Sequence, residues 1–128
     1  MVKGFDTDEF FDEAVVPDPA RPELRSALVT ALPSGAADRK TYPLATGCLD
    51  YFPKALAEIA HVSFVSNEQH NPGTPVHWDR SKSGDESDAL LRHFVERGTL
   101  DSDGLRHTAK VAWRALALLE KELEGQKA

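Results

Sequence analysis

Residues 105–125 read Leu-Arg-His-Thr-Ala-Lys-Val-Ala-Trp-Arg-Ala-Leu-Ala-Leu-Leu-Glu-Lys-Glu-Leu-Glu-Gly. This segment predicts a helix from about Leu105 to Glu124, capped by Asp101 or Asp103 and ended by Gly125. Its middle, residues 111–119, is apolar almost all round except for Arg114. A helix of that kind is usually buried on several sides, by its own chain or by another subunit.

Two further helices are marked by their ends. Asp50 is a candidate cap for a helix that has Pro53 in its first turn and runs to about residue 66. Ser83 and Glu86 form a capping-box pattern, and Gly98 stands at a C-cap position, so a helix is predicted over residues 85–97. Residues 67–84 are rich in turn formers and predict a long loop. The sequence therefore predicts an all-α fold, a bundle of three main helices.

The chain before residue 46 has a different character. Three prolines stand within residues 15–22, between a predicted short acidic helix at residues 7–16 and an amphipathic one at residues 24–32. Residues 1–45 are interpreted as an acidic, proline-rich arm, and residues 46–128 as the all-α domain. Because three helices leave residues 105–124 under-buried, a homo-oligomer is expected to complete the bundle.

Composition limits the possible partners and compartment. The 128 residues carry a net charge of −6, which argues against a protein that wraps duplex DNA. No apolar run approaches the roughly 20 residues that span a bilayer, so no membrane role is expected. A single cysteine, Cys48, cannot form an internal disulfide, which favours a cytoplasmic location.

Carboxylates on the first two predicted helices are the candidate catalytic and metal-binding residues. Glu58 lies in an otherwise apolar stretch, and Asp85 and Asp88 share the first turn of the next helix. Carboxylates on facing helices form sites for Mg²⁺ or Mn²⁺, and such an ion can bridge phosphate oxygens and orient a water. The alternatives are that Glu58 points to water and that the two aspartates only cap their helix.

The long loop and the second helix contain side chains suited to a nucleotide. Amides read base edges, aromatic rings stack on bases, and cations contact phosphates. Arg92 is interpreted either as a phosphate ligand or as the ion-pair partner of Asp88, and His93 and His107 also suit core positions. The candidate substrate-binding residues are Asn67, His70, His77, Trp78, Arg80, Lys82, Arg92, His93 and His107.

Several blocks of the chain together resemble a known family. These are the blocks at residues 49–58, 67–73 (Asn-Glu-Gln-His-Asn-Pro-Gly), 77–78, 82–83, 85–93 (Asp-Glu-Ser-Asp-Ala-Leu-Leu-Arg-His) and 103–119. Over roughly residues 40–124 the chain resembles the phage-associated dATP/dGTP diphosphohydrolase N-terminal-domain family, which is similar to the MazG-like all-α nucleoside triphosphate pyrophosphatases. Those enzymes hold Mg²⁺ with helix carboxylates and split a deoxynucleoside triphosphate into monophosphate and pyrophosphate.

The resemblance implies a Mg²⁺-dependent purine (deoxy)nucleoside triphosphate pyrophosphohydrolase of phage nucleotide metabolism, acting in the host cytoplasm. Glu58, Asp85 and Asp88 would hold the metal. One alternative is a non-catalytic protein that binds and sequesters a nucleotide, which would account for Ala57 and His61 at two positions where the family pattern has acids. Another is a helical protein whose loop contacts a protein partner.

Overall fold

The computed structural model describes residues 31–125. Its elements are helix α1 (Ala36–Arg39), a π-helical turn (Ala45–Leu49), helix α2 (Pro53–His70), a 3-10 turn (Arg80–Lys82), helix α3 (Glu86–Val95) and helix α4 (His107–Glu124). Within these residues no strand forms, and one isolated antiparallel bridge joins Leu100 to Arg106. The all-α prediction is confirmed, while the helices predicted at residues 7–16 and 24–32 fall wholly or mostly outside the described part.

The helix ends differ from the predicted ones. Helix α2 starts after Phe52, because the amide of Asp50 donates to Ala45 O at 2.8 Å and so belongs to the preceding turn. It also continues to His70, four residues past the predicted end. Helix α4 starts after Arg106, so neither Asp101 nor Asp103 is its N-cap.

The capping-box prediction at the start of helix α3 is also wrong in detail. Asp85 occupies the N-cap position and makes no side-chain cap hydrogen bond. The Ser83 hydroxyl instead donates to the carboxylate of Glu86, which is buried. Ser83 therefore donates a hydrogen bond to a buried carboxylate and does not accept one from a free helix amide.

Helix α4 lies at the centre of the bundle and packs against both α2 and α3. Val62 of α2, Leu105 and Ala109 form the core cluster, and Val65 and Trp113 pack against it. Ala89 of α3 is 1% exposed and Ala117 of α4 is 5% exposed. These side chains are small, so the bundle buries little apolar volume for its length.

Large apolar side chains are frequent on the surface of residues 31–125. The exposed ones are Tyr42, Leu44, Leu49, Tyr51, Phe52, Phe64, Leu91, Phe94, Val95, Leu100, Leu116, Leu119 and Leu123. The buried apolar residues are Val62, Ala89, Leu105, Ala109 and Ala117. In the described part, large apolar residues on the surface therefore outnumber the buried apolar residues.

A boundary between two units of the chain falls between Leu44 and Ala45, and helices α2, α3 and α4 lie in the second unit. No helix between residues 31 and 125 combines the length and apolar character that crossing a bilayer requires.

Glycines shape the loop between α3 and α4. Gly98 and Gly104 have φ angles of +85° and +83°, a left-handed conformation that costs other residues about 1–2 kcal/mol.

We expect Gly104→Ala to lower the free energy of unfolding by about 1–2 kcal/mol in urea denaturation. Gly84 lacks a positive φ and has open space around its Cα, so Gly84→Ala should change stability by less than about 0.5 kcal/mol. Equal losses in the two variants would contradict this interpretation.

Candidate functional site

The three carboxylates expected to hold a metal ion are all exposed. Glu58 lies on α2, Asp85 directly precedes α3, and Asp88 lies in the first turn of α3. Among residues 31–125, the single group of three potential ligands whose donor atoms come within 4.8 Å of one another is His93, Asp101 and His107. The ligand atoms of Glu58, Asp85 and Asp88 do not form such a group in this part of the chain, and their role as metal ligands stays a prediction.

Arg92 makes a different ion pair from the one considered above. Its Nη2 donates to Asp85 Oδ2 at 2.9 Å, and no bond to Asp88 is formed within the described residues. The pair has side-chain exposures of 65% and 51%. The pKa of Asp85 is lowered, chiefly by this hydrogen bond from Arg92.

Glu86 is the buried acid of the site. It is 6% exposed, and its Oε1 and Oε2 lie 3.3 Å from Arg114 Nη1 and 2.8 Å from Lys121 Nζ. The ammonium of Lys121 also donates to the carbonyl oxygen of Ser83. Glu86 thus joins the end of the long loop, the start of α3 and one face of α4.

The acid sensitivity of the fold follows from Glu86. Burial by itself would raise the pKa of Glu86, but hydrogen bonds from Lys121 and Ser83 outweigh it and the pKa falls below 4.5. A carboxyl whose folded pKa is lowered contributes stability above its unfolded pKa and loses it as the pH falls through the folded pKa. We expect the urea concentration at the midpoint of unfolding to decrease as the pH falls below about 4.5. This decrease should be less steep in Glu86→Gln. Parallel pH profiles for the two proteins would contradict this assignment.

Trp78 is held between charged and aromatic neighbours. The guanidinium carbon of Arg80 lies 3.9 Å from the centre of the Trp78 ring, and Trp113 meets that ring edge-on at 5.7 Å between centroids. Arg80 also forms a two-pronged ion pair with Glu124, with both N–O distances 2.7 Å. Arg80 thus covers one face of the Trp78 ring, and a base stacked on that face would have to displace it.

The other predicted substrate-binding residues of the loop and the end of α2 each have a separate partner or are exposed. Asn67 is buried, and its Nδ2 donates to Thr74 O at 3.0 Å, which ties the loop to the end of α2. His77 is exposed, with Nδ1 3.0 Å from Pro75 O. Lys82 and His70 are exposed as well, and Lys82 Nζ lies 3.8 Å from Asp79 Oδ2. Their role as substrate ligands stays a prediction.

Two predicted residues, His93 and His107, do come together. Their Nδ1 atoms are 2.9 Å apart, so one ring donates and the other accepts, or both bind a common ion. His107 is 5% exposed, and its Nδ1 lies 4.0 Å from Asp101 Oδ2. Lys110 Nζ lies 2.7 Å from Asp101 Oδ2 and 2.8 Å from Asp103 Oδ2.

Burial and nearby charges lower the pKa values of His93 and Asp101 in this cluster. Burial lowers the pKa of His93, and the charge of Lys110 lowers it further. The hydrogen bond from Lys110 lowers the pKa of Asp101 to about 2. At neutral pH, His93 is thus a neutral imidazole beside an ionised carboxylate.

Sequence reasoning missed several of these residues. Asp101 and Asp103 were expected to be helix caps, and Lys110 had no assigned role. The available signal was that the two acids stand nine and seven positions before Lys110, a lysine on the helix that they precede. The contacts of Glu86 with Arg114 and Lys121, which are 28 and 35 positions away, gave no local signal.

Comparison with known proteins identifies the family. A family model described as "dATP/dGTP diphosphohydrolase, N-terminal" matches residues 33–128. No curated protein and no solved structure gives a significant match. The matched segment covers three quarters of the chain and includes α2, α3, α4 and both side-chain clusters. The family name indicates a hydrolase of nucleotide metabolism, and the chain belongs to the dATP/dGTP diphosphohydrolase N-terminal-domain family.

Proposed function

We propose that the chain hydrolyses purine deoxynucleoside triphosphates to the monophosphate and pyrophosphate in the cytoplasm, the host cytoplasm if a phage encodes it. The family match over residues 33–128 is the observation that carries this proposal. Magnesium or manganese is the proposed cofactor, because triphosphates are normally handled as complexes with such ions. The MazG-like relationship belongs to the same proposal.

Exposed cations support the recognition of phosphate. Arg80, Lys82 and Arg92 have side-chain exposures of 46%, 56% and 65%. Each forms an ion pair with an accessible carboxylate, and such surface pairs contribute at most about 1 kcal/mol. A phosphate oxygen can therefore replace the carboxylate at small cost, and the forked contact of Arg80 with Glu124 has the geometry of an arginine–phosphate contact.

Glu58, Asp85 and Asp88 remain the proposed metal ligands, although their ligand atoms are not grouped within a single chain.

We also propose a homo-oligomer, because the exposed apolar side chains of α2, α3 and α4 outnumber the buried ones. We propose that a second copy of the chain covers these exposed apolar side chains with its own apolar surface. Light scattering coupled to size-exclusion chromatography should give a mass of at least two chains, and a monomer at micromolar concentration would contradict this part of the proposal.

A nucleotide-binding protein without turnover is the second candidate. The separation of Glu58, Asp85 and Asp88 within one chain favours it, since a catalytic metal needs its ligands together. The two candidates are separated by incubating the full chain with the eight common NTPs and dNTPs and assaying pyrophosphate. Release from dATP or dGTP supports the hydrolase, whereas a raised melting temperature without release supports the binder.

Arg92 provides a test of the phosphate contacts. Arg92→Ala is expected to raise the KM for dGTP about 10- to 100-fold, because a charge-assisted hydrogen bond contributes about 1.5–3 kcal/mol. Arg92→Lys keeps the charge without the fork and should have an intermediate KM. Arg106→Ala is the matched control, since Arg106 is exposed and precedes α4. An unchanged KM in Arg92→Ala would remove this residue from the proposed site.

A further inference from the structure

The histidine pair between α3 and α4 has the composition of a metal centre. His93 lies near the end of α3, Asp101 in the following loop, and His107 at the first position of α4. One ligand atom from each residue lies within 4.8 Å of the other two. The proposed hydrolase does not use this set as a metal site, so the inference stands apart from that function.

The loop that presents Asp101 is held by its backbone. The amide of Asp101 donates to Leu105 O at 2.7 Å, and the amide of His107 donates to Thr99 O at 3.1 Å. Gly98 and Gly104 supply the two left-handed turns of the loop. The three side chains are therefore brought together by the fold, and binding an ion does not require the loop to become ordered.

The distances and donor types select a class of ion. Two nitrogens that bind one Zn²⁺ ion at about 2.0–2.1 Å lie roughly 2.8–3.4 Å apart for angles from about 90° to about 109°. The two Nδ1 atoms are 2.9 Å apart, near the lower end of this range. Imidazole nitrogen suits zinc, iron, nickel and copper, whereas magnesium prefers an all-oxygen set. The set of two imidazoles and one carboxylate thus differs from the expected magnesium ligands.

Neighbouring charges influence how the site binds a cation. Glu96 Oε2 lies 4.0 Å from His107 Nε2, the ring nitrogen that would not bind the ion, and a carboxylate at that nitrogen can orient a ligating histidine. Lys110 competes for Asp101, but it also contacts Asp103 at 2.8 Å and can keep that partner when Asp101 turns to an ion. The acids Glu96, Asp101 and Asp103 outnumber this lysine.

We propose that His93, Asp101 and His107 bind one transition-metal dication of the zinc class, through the two Nδ1 atoms and the Asp101 carboxylate. Three protein ligands leave a position open to water or to an anionic ligand. The site lies between α3 and α4, and its occupation ties the end of one helix to the start of the other.

Titration of the full-length protein with Co²⁺ tests this proposal through the visible absorption of the bound ion. We expect one Co²⁺ per chain, displaced by Zn²⁺ and not by millimolar Mg²⁺. His93→Gln and Asp101→Asn should each weaken Co²⁺ binding at least tenfold, while His61→Gln, an exposed histidine on α2, should leave it unchanged.

His107→Gln is a weaker test on its own because His107 is buried and the variant can misfold, so His93→Gln and Asp101→Asn carry the result, with circular dichroism confirming their helicity. Absence of Co²⁺ absorption would overturn the proposal. Equal loss of binding in His61→Gln, or unchanged binding in folded His93→Gln, would also overturn it.

Discussion

Glu86→Ala is expected to lower the free energy of unfolding by about 3–5 kcal/mol, the cost of removing one member of a buried ion pair. The carboxylate is 6% exposed and is bound by Lys121, Arg114 and the Ser83 hydroxyl. Its removal leaves two cations facing each other beside a cavity. Urea denaturation followed by circular dichroism measures the loss.

Two comparisons make the Glu86 prediction specific. Glu122→Ala removes an exposed acid from α4 and should change stability by less than about 0.5 kcal/mol. Glu86→Ala combined with Lys121→Met should be less unstable than the sum of the single variants, because the second change removes a stranded cation. Additive effects, or similar losses in the Glu86 and Glu122 variants, would contradict the buried network.

Trp113→Ala is the second change with a large expected effect, a loss of about 3–5 kcal/mol as for other large aromatic residues truncated to alanine. Trp113 packs against the core cluster of Val62, Leu105 and Ala109. Its Nε1 donates to Ser63 Oγ of α2 at 2.8 Å, so one side chain supplies both packing and a hydrogen bond between helices. Thermal or urea unfolding measures the effect.

Matched variants divide the contribution of Trp113. Trp113→Phe keeps an aromatic ring and loses the hydrogen bond, so it should cost clearly less than Trp113→Ala. Ser63→Ala removes the same hydrogen bond from the other side and should cost about 1 kcal/mol. Since Trp113 also supports Trp78 edge-on, Trp113→Phe should weaken nucleotide binding at temperatures where it is folded. Equal stability of Trp113→Ala and the parent would contradict the central position of this residue.

The helices were predictable because their signals are local. The apolar run of residues 111–119 and the glycine at position 125 suffice to place α4, and Pro53 marks the first turn of α2. The N-caps were not predictable, because Asp50 belongs to the preceding turn and the other two candidate acids have a stronger partner. Asp101 and Asp103 bind Lys110, a charge-assisted contact that outweighs a single bond to a helix amide.

The candidate site was only partly predictable for the same reason. The sequence identified His93 and His107 individually, but their 2.9 Å contact depends on a loop with two left-handed glycines. Asp85 was expected in the first turn of α3 together with Asp88 but is its N-cap residue, and Arg92 pairs with Asp85 rather than with Asp88. Glu58 is exposed on α2, as in the alternative in which it points to water.

The most direct test of the proposed function is a quantitative product analysis of the full-length protein with dATP and with dGTP, in Mg²⁺ and in Mn²⁺. Ion-exchange chromatography separates the nucleotide products, and an enzymatic assay measures pyrophosphate. We expect purine deoxynucleoside monophosphate and pyrophosphate in equal amounts, and no products after chelation of the metal. Release of a deoxynucleoside diphosphate and orthophosphate, or no turnover of either nucleotide, would contradict the proposed function.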